Sequence, residues 1–179
     1  DVEPQFIGNI RNVTVTDNAD NSSEPKSYEY FVVDAETPEA PTVSTGGYTS
    51  GQWTDKDVTI TVSGVEADSG IAKYQYSTDG GQSWTDMTAS KTTAASATAP
   101  PSVDEVQLTI SDSTTADGTT HLFRAISNSG MEGTASSGVV VKIDKTAPTI
   151  DVSGNTADYL QSGTVTITPQ TGVSGIASV

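Results

Sequence analysis

Short runs of apolar residues alternating with polar ones recur along the chain. Val58, Ile60 and Val62 are separated by Thr59 and Thr61, so one face of that segment is apolar and the other carries hydroxyls. Val106, Leu108 and Ile110 alternate with Gln107 and Thr109, and Val139, Val141 and Ile143 alternate with Val140 and Lys142. A period of two belongs to a strand with one buried side, not to a helix. Ala72 to Ser77 and His121 to Ile126 add further strands, separated from the rest by clusters of Gly, Asn, Asp and Ser. About seven short strands in roughly 100 residues predict an all-β sandwich. The Thr/Ala/Ser/Pro stretch between Thr88 and Ser102 is too small-sided to pack a core and is expected to be an exposed loop.

The alternating segments also repeat. Ala40-Pro41-Thr42-Val43 returns as Ala147-Pro148-Thr149-Ile150, and Val58-Thr59-Ile60-Thr61 returns as Val165-Thr166-Ile167-Thr168, both 107 residues on (147 less 40, 165 less 58). Trp53 then falls on Leu160. Ser69-Gly70-Ile71-Ala72 reappears as Ser174-Gly175-Ile176-Ala177 at a spacing of 105 (174 less 69), which places the length change in the loop between. A looser match, at a spacing of 110 (123 less 13), sets Val13 to Asn21 against Phe123 to Met131, each a strand running into an Asn-containing turn. Proline marks the two linkers, Val33 to Pro41 and Ile143 to Pro148. These spacings divide the chain into 1–38, 39–146 and 147–179, with the middle unit complete.

The order of these elements carries a resemblance. Ala-Pro-Thr comes first, then Trp53 ahead of Val58-Thr59-Ile60-Thr61, then Ser69-Gly70-Ile71 leading to Tyr74-Gln75-Tyr76-Ser77. Phe123-Arg124-Ala125 with an Asn-Ser-Gly turn follows, and Ile143-Asp144-Lys145-Thr146-Ala147-Pro148 closes the unit. The pattern resembles the bacterial immunoglobulin-like repeats of large cell-surface and secreted proteins, and it covers the whole chain. The resemblance implies tandem immunoglobulin-like sandwiches: the C-terminal part of one at 1–38, a complete one at 39–146, and the N-terminal part of a third at 147–179. It also implies a spacer or stalk in an adhesin-like or multidomain secreted protein, with neighbouring repeats as partners and no active site. The alternative is a ligand- or carbohydrate-binding module of an adhesin or an extracellular glycoside hydrolase, with a host or glycan ligand.

Charge narrows the partners. Eight Lys and Arg stand against 23 Asp and Glu, a formal charge of −15, with an isoelectric point near 4.1. That balance argues against a nucleic acid backbone or an anionic membrane. No apolar run approaches the roughly 20 residues that span a bilayer, so no membrane insertion is expected in this segment, and any export signal or anchor is expected elsewhere. Cysteine is absent, which removes disulfides, thiolate metal sites and cysteine nucleophiles. An acidic, cysteine-free sandwich fits an extracellular location on a bacterial surface or in a secreted protein.

Three constellations bear on chemistry. Ser77-Thr78-Asp79-Gly80-Gly81-Gln82-Ser83-Trp84 fits the S-x-D-x-G-x-x-W Asp-box pattern of sialidase propellers. Its physics is that of a tight hairpin: Asp accepts backbone N–H bonds, Gly takes positive φ, and Trp covers the turn. A sialidase site also needs three arginines, whereas the chain holds only Arg11 and Arg124. His121 is the sole histidine and lies on a predicted strand, and no G-x-S-x-G elbow accompanies it. Carboxylates such as Glu66, Asp68 and Asp79 fall on loops, so no catalytic residues are assigned and no enzyme is expected.

Oxygen ligands for Ca2+ gather in four places: Asp17, Asn18, Asp20 and Asn21; Asp34, Glu36 and Glu39; Asp144 and Asp151; and Glu66 with Asp68. Calcium needs six to eight oxygens, and without a D-x-D-x-D-G loop solvated loop charge is the plainer reading, so neither a metal site nor a cofactor is assigned. Trp53, Tyr74, Tyr76 and Trp84 are the aromatics able to stack on a sugar ring, and core or hairpin packing is what a sandwich ordinarily asks of them.

Overall fold

The computed structural model describes residues 6–32, 34–96, 99–154 and 163–178, with the backbone alone for 6–12 and 27–32. Among the described residues every regular element is a strand, and there is no helix. The chain runs through β1 (Phe6–Val13), β2 (Lys26–Val32), β3 (Thr42–Ser44), β4 (Trp53–Thr54), β5 (Val58–Ser63) and β6 (Ile71–Ser77). It continues through β7 (Thr85–Asp86), β8 (Ala89–Thr93), β9 (Ser102–Ile110), β10 (Thr119–Ser127) and β11 (Val139–Ile143). Two last strands follow, β12 (Thr149–Ser153) and β13 (Thr166–Gln170).

Strands β3 to β11 form two sheets, in the orders β4-β11-β10-β6-β7 and β3-β5-β9-β8. The pairings within both are antiparallel except that of β11 with β4. The sheets face each other across one apolar core, a β-sandwich arrangement. Val58, Ile60, Val62 and Val106 come from one side, and Ile71, Tyr74, Phe123, Ala125, Val139, Val141 and Ile143 from the other. Period-two alternation accounts for this directly: Val58, Ile60 and Val62 point inward, while Thr59 points out and bonds across the surface to Thr109 at 3.0 Å.

Two local expectations are revised. Ala89–Thr93 pairs with β9, so the Thr/Ala/Ser/Pro stretch begins with an edge strand instead of being loop throughout. Every residue of β8 is exposed, which is why its sequence carries no apolar period. Among its described residues the stretch 42–143 holds nine strands and not seven, the additions including the two-residue β4 and β7.

Outside the sandwich stand two hairpins, β1 with β2 and β12 with β13. The second leaves Ile150, Val152 and Ile167 more than half exposed. Its register reproduces that of β3 with β5: Thr42 pairs with Ser63 and Val43 with Val62, while Thr149 pairs with Gln170 and Ile150 with Pro169. Two turns likewise share their bonding. Ser127 N–H donates to the Met131 carbonyl and Gly130 N–H to Ser127, as Asp17 N–H donates to Asn21 and Asp20 N–H to Asp17. Gly130 and Asp20 both have positive φ, 86° and 65°.

Candidate functional site

The hairpin between β6 and β7 is organised by Asp79. Its Oδ1 accepts the Ser77 hydroxyl at 2.7 Å and the backbone N–H groups of Gln82 and Ser83 at 2.9 Å each, and Oδ2 accepts the Ser83 hydroxyl at 2.5 Å. Those bonds, led by Ser83, hold the Asp79 carboxyl well below the usual carboxylate range. Gly80 and Gly81 take φ of 75° and 90°, which a Cβ would strain. A carboxylate that accepts four hydrogen bonds within its own turn is a turn brace.

Trp84 and Trp53 lie on the outer face of the five-stranded sheet and not in the core. The Arg124 guanidinium sits 4.4 Å from the Trp84 ring centroid. It is held flat by Gln75 at 2.9 Å and by a two-pronged pair with Glu132 at 2.6 and 3.1 Å. Lys142 covers Trp53 at 5.5 Å. Tyr74 is fully buried and Tyr76 packs against the core. Of the four aromatics weighed for sugar stacking, two are therefore core residues and two carry a cation over the ring. His121 packs inward on β10, its Nδ1 3.2 Å from the Thr119 carbonyl. Burial pushes its pKa below the ordinary value, with backbone bonds to Thr119 and Val139 working the other way.

The acidic groups meet at the approaches to the sandwich. Asp34, Glu36, Glu39, Glu66 and Asp68 line a pocket of about 410 Å3, and Asp79 is not among its lining residues. Among the described residues, no three Asp, Glu or His side chains converge as a metal site would require. Asp17 is spent on its own turn, accepting from Ala19 N–H, Asn21 N–H and the Asn21 side chain. Asp34 instead reaches into the sandwich. Oδ1 accepts Ser69 N–H at 2.7 Å, and Oδ2 accepts the Ser69 and Ser129 hydroxyls at 2.7 and 2.5 Å. Asp144 does the same further along: Oδ2 accepts Ser174 N–H at 2.9 Å and the Ser174 hydroxyl at 2.6 Å, while Oδ1 accepts Thr146 N–H. Asp151 receives one weak bond from Gln170.

Sequence reasoning offered Asp34 and Asp144 as candidate oxygen ligands, with solvated loop charge the plainer reading, and missed their serine partners. The signal was present in the repetition itself, since Asp34 and Ser69 return together as Asp144 and Ser174. Comparison with protein-family models, with curated proteins and with solved structures finds no match.

Proposed function

We propose that the chain is a stretch of tandem immunoglobulin-like repeats, divided at 38/39 and 146/147, that serves as a spacer or stalk of a bacterial cell-surface or secreted protein. The observation that carries this reading is the return of one strand register and one turn. The β3–β5 pairing reappears 107 residues on as β12–β13, and the Ser127 turn matches the Asp17 turn at a spacing of 110. The exposed apolar side of the β12–β13 hairpin is what an unfinished sandwich would present. A mechanical role also suits a molecule in which Asp17, Asp34, Asp79 and Asp144 are committed to turns and linkers and a cation lies over each of Trp53 and Trp84. No catalysis is assigned to this stretch, and its partners are the adjoining repeats.

Small-angle scattering of the whole chain tests the array. A single compact body of this length would have a radius of gyration of about 16 Å, and a linear arrangement should lie well above that. A compact value would remove the stalk. Saturable binding to a glycan array or host-cell extract, abolished by Trp84→Ala without unfolding, would replace the spacer with the binding-module alternative.

A further inference from the structure

We infer that Ser69, Ser127 and Ser129 form a socket for the strand-end carboxylate of Asp34, and that this contact latches each unit of the array to the one before it. Its extension along the array rests on the tandem reading above, whereas the Asp34 contact stands by itself.

The socket is built, not incidental. Ser69, Ser127 and Ser129 expose 0, 1 and 1% of their surface, and buried hydroxyls require partners. Ser69 Oγ donates to Asp34 and accepts Ser129 N–H at 3.1 Å. Ser129 Oγ donates to Asp34 and meets Ser127 Oγ at 2.9 Å. Asn128 ties the walls together, donating from its side chain to the Ser69 and Pro101 carbonyls at 2.7 and 2.6 Å. Gly70, with φ of 80°, allows that approach, since a Cβ there would fall 2.3 Å from the Pro101 oxygen. The donors are all neutral, so the fit is to one carboxylate and not to a charge cluster.

Ser127 caps the turn, its Oγ accepting Met131 N–H at 3.2 Å, but the turn does not need Ser129. At the matching places of the N-terminal turn stand Asp17 and Ala19, and Asp17 caps that turn with its own carboxylate. Ser129 therefore has a hydroxyl that the turn does not require and that Asp34 uses. The pairing also recurs. Asp34 follows β2 and Asp144 follows β11, and each accepts both the N–H and the hydroxyl of a serine that precedes a glycine at φ 80°. Gly172 packs against Asp144 so closely that a Cβ would lie 2.6 Å from Oδ2. Downstream of Asp34 the linker is already fixed, because Pro38 is buried and its carbonyl accepts Thr134 N–H at 3.0 Å. Holding Asp34 as well fixes both ends of the short span between, and with it the direction in which β2 leaves.

Lack of cysteine makes the test direct. Spin labels at Ala19→Cys and Asp112→Cys in the whole chain report the distance distribution across the junction. The latch predicts one narrow peak. Asp34→Ala should broaden it by on the order of 10 Å, the reach of the freed span, and Ser69→Ala with Ser129→Ala should do the same. Asp34→Ala alters no core residue but takes the acceptor from the Ser69 and Ser129 hydroxyls, so a central melting transition that is lowered yet still cooperative separates unlatching from unfolding. Glu36→Ala, which removes a nearby acid but no socket contact, should leave the peak narrow. An Asp34→Ala distribution as narrow as the parent, or equal broadening by Glu36→Ala, overturns the latch. A compact scattering radius or a bound ligand would remove the spacer reading without altering these widths, so the two fail separately.

Discussion

At the scale of single residues, Tyr74 is a polar mismatch in the core. Tyr74 is fully buried, and its hydroxyl, beside the Val65 backbone, lacks a hydrogen bond of normal geometry. A buried donor without a partner costs about 1–3 kcal/mol, so Tyr74→Phe is expected to stabilise the sandwich by about 1 kcal/mol, read by urea denaturation. A loss of stability would mean that the hydroxyl has a partner. His121 gives a pH effect of definite sign. Its folded pKa is depressed by burial, so its contribution is complete above the ordinary value of 6.5 and is lost as pH falls from there towards the folded pKa. His121→Leu should flatten that part of the stability profile, whereas a slope equal to the parent's would place its source elsewhere. Neither effect is written in the sequence. It puts Tyr74 and His121 on strands, but whether a hydroxyl or imidazole finds a partner depends on the opposite sheet.

Among the elements, legibility followed burial. β5, β9 and β11 have one face in the core, so their apolar residues keep a period of two that can be read without coordinates. β8 is exposed along its length and is set only by pairing with β9, so its Thr and Ala residues look like a loop. Trp53 misleads for a related reason, whereas Trp84 lies over the Asp79 hairpin as the Asp-box pattern predicts. Large aromatics suggest core, yet the parallel pairing with Lys142 puts Trp53 outside, and the Asp79 hairpin delivers Trp84 beneath Arg124. The same logic ranks substitutions. Ile60 and Leu108 are paired across β5 and β9, but Ile60 is fully buried and Leu108 only half so. Ile60→Ala should cost about 2–5 kcal/mol and Leu108→Ala distinctly less, while Lys91→Ala on β8 should stay within about 0.5 kcal/mol. Equal costs for Ile60 and Leu108 in denaturant melts would contradict the placement of the core.

For the whole molecule the question is what the large negative charge does. The sequence shows carboxylates gathered near both linkers, and from residue types alone calcium and serine hydroxyls are equally able to satisfy them. Geometry separates the two by accounting for lone pairs. Asp17, Asp34 and Asp144 accept three hydrogen bonds each, all from neutral donors. At these three carboxylates calcium would compete with donors already in place while needing six to eight oxygens, and at the Asp34 junction it would strand buried serine hydroxyls. An ion that binds only the folded state stabilises it by RT ln(1 + c/Kd) at free concentration c, and so raises the melting temperature once that concentration exceeds Kd. Thermal melts of the whole chain in EDTA and in millimolar Ca2+ are therefore expected to superimpose. A calcium-dependent rise that survives Asp34→Ala would place an ion at other carboxylates. A rise abolished by that substitution would make Asp34 a ligand and the serines its second choice, and the junction would then be held by metal instead of by hydroxyls.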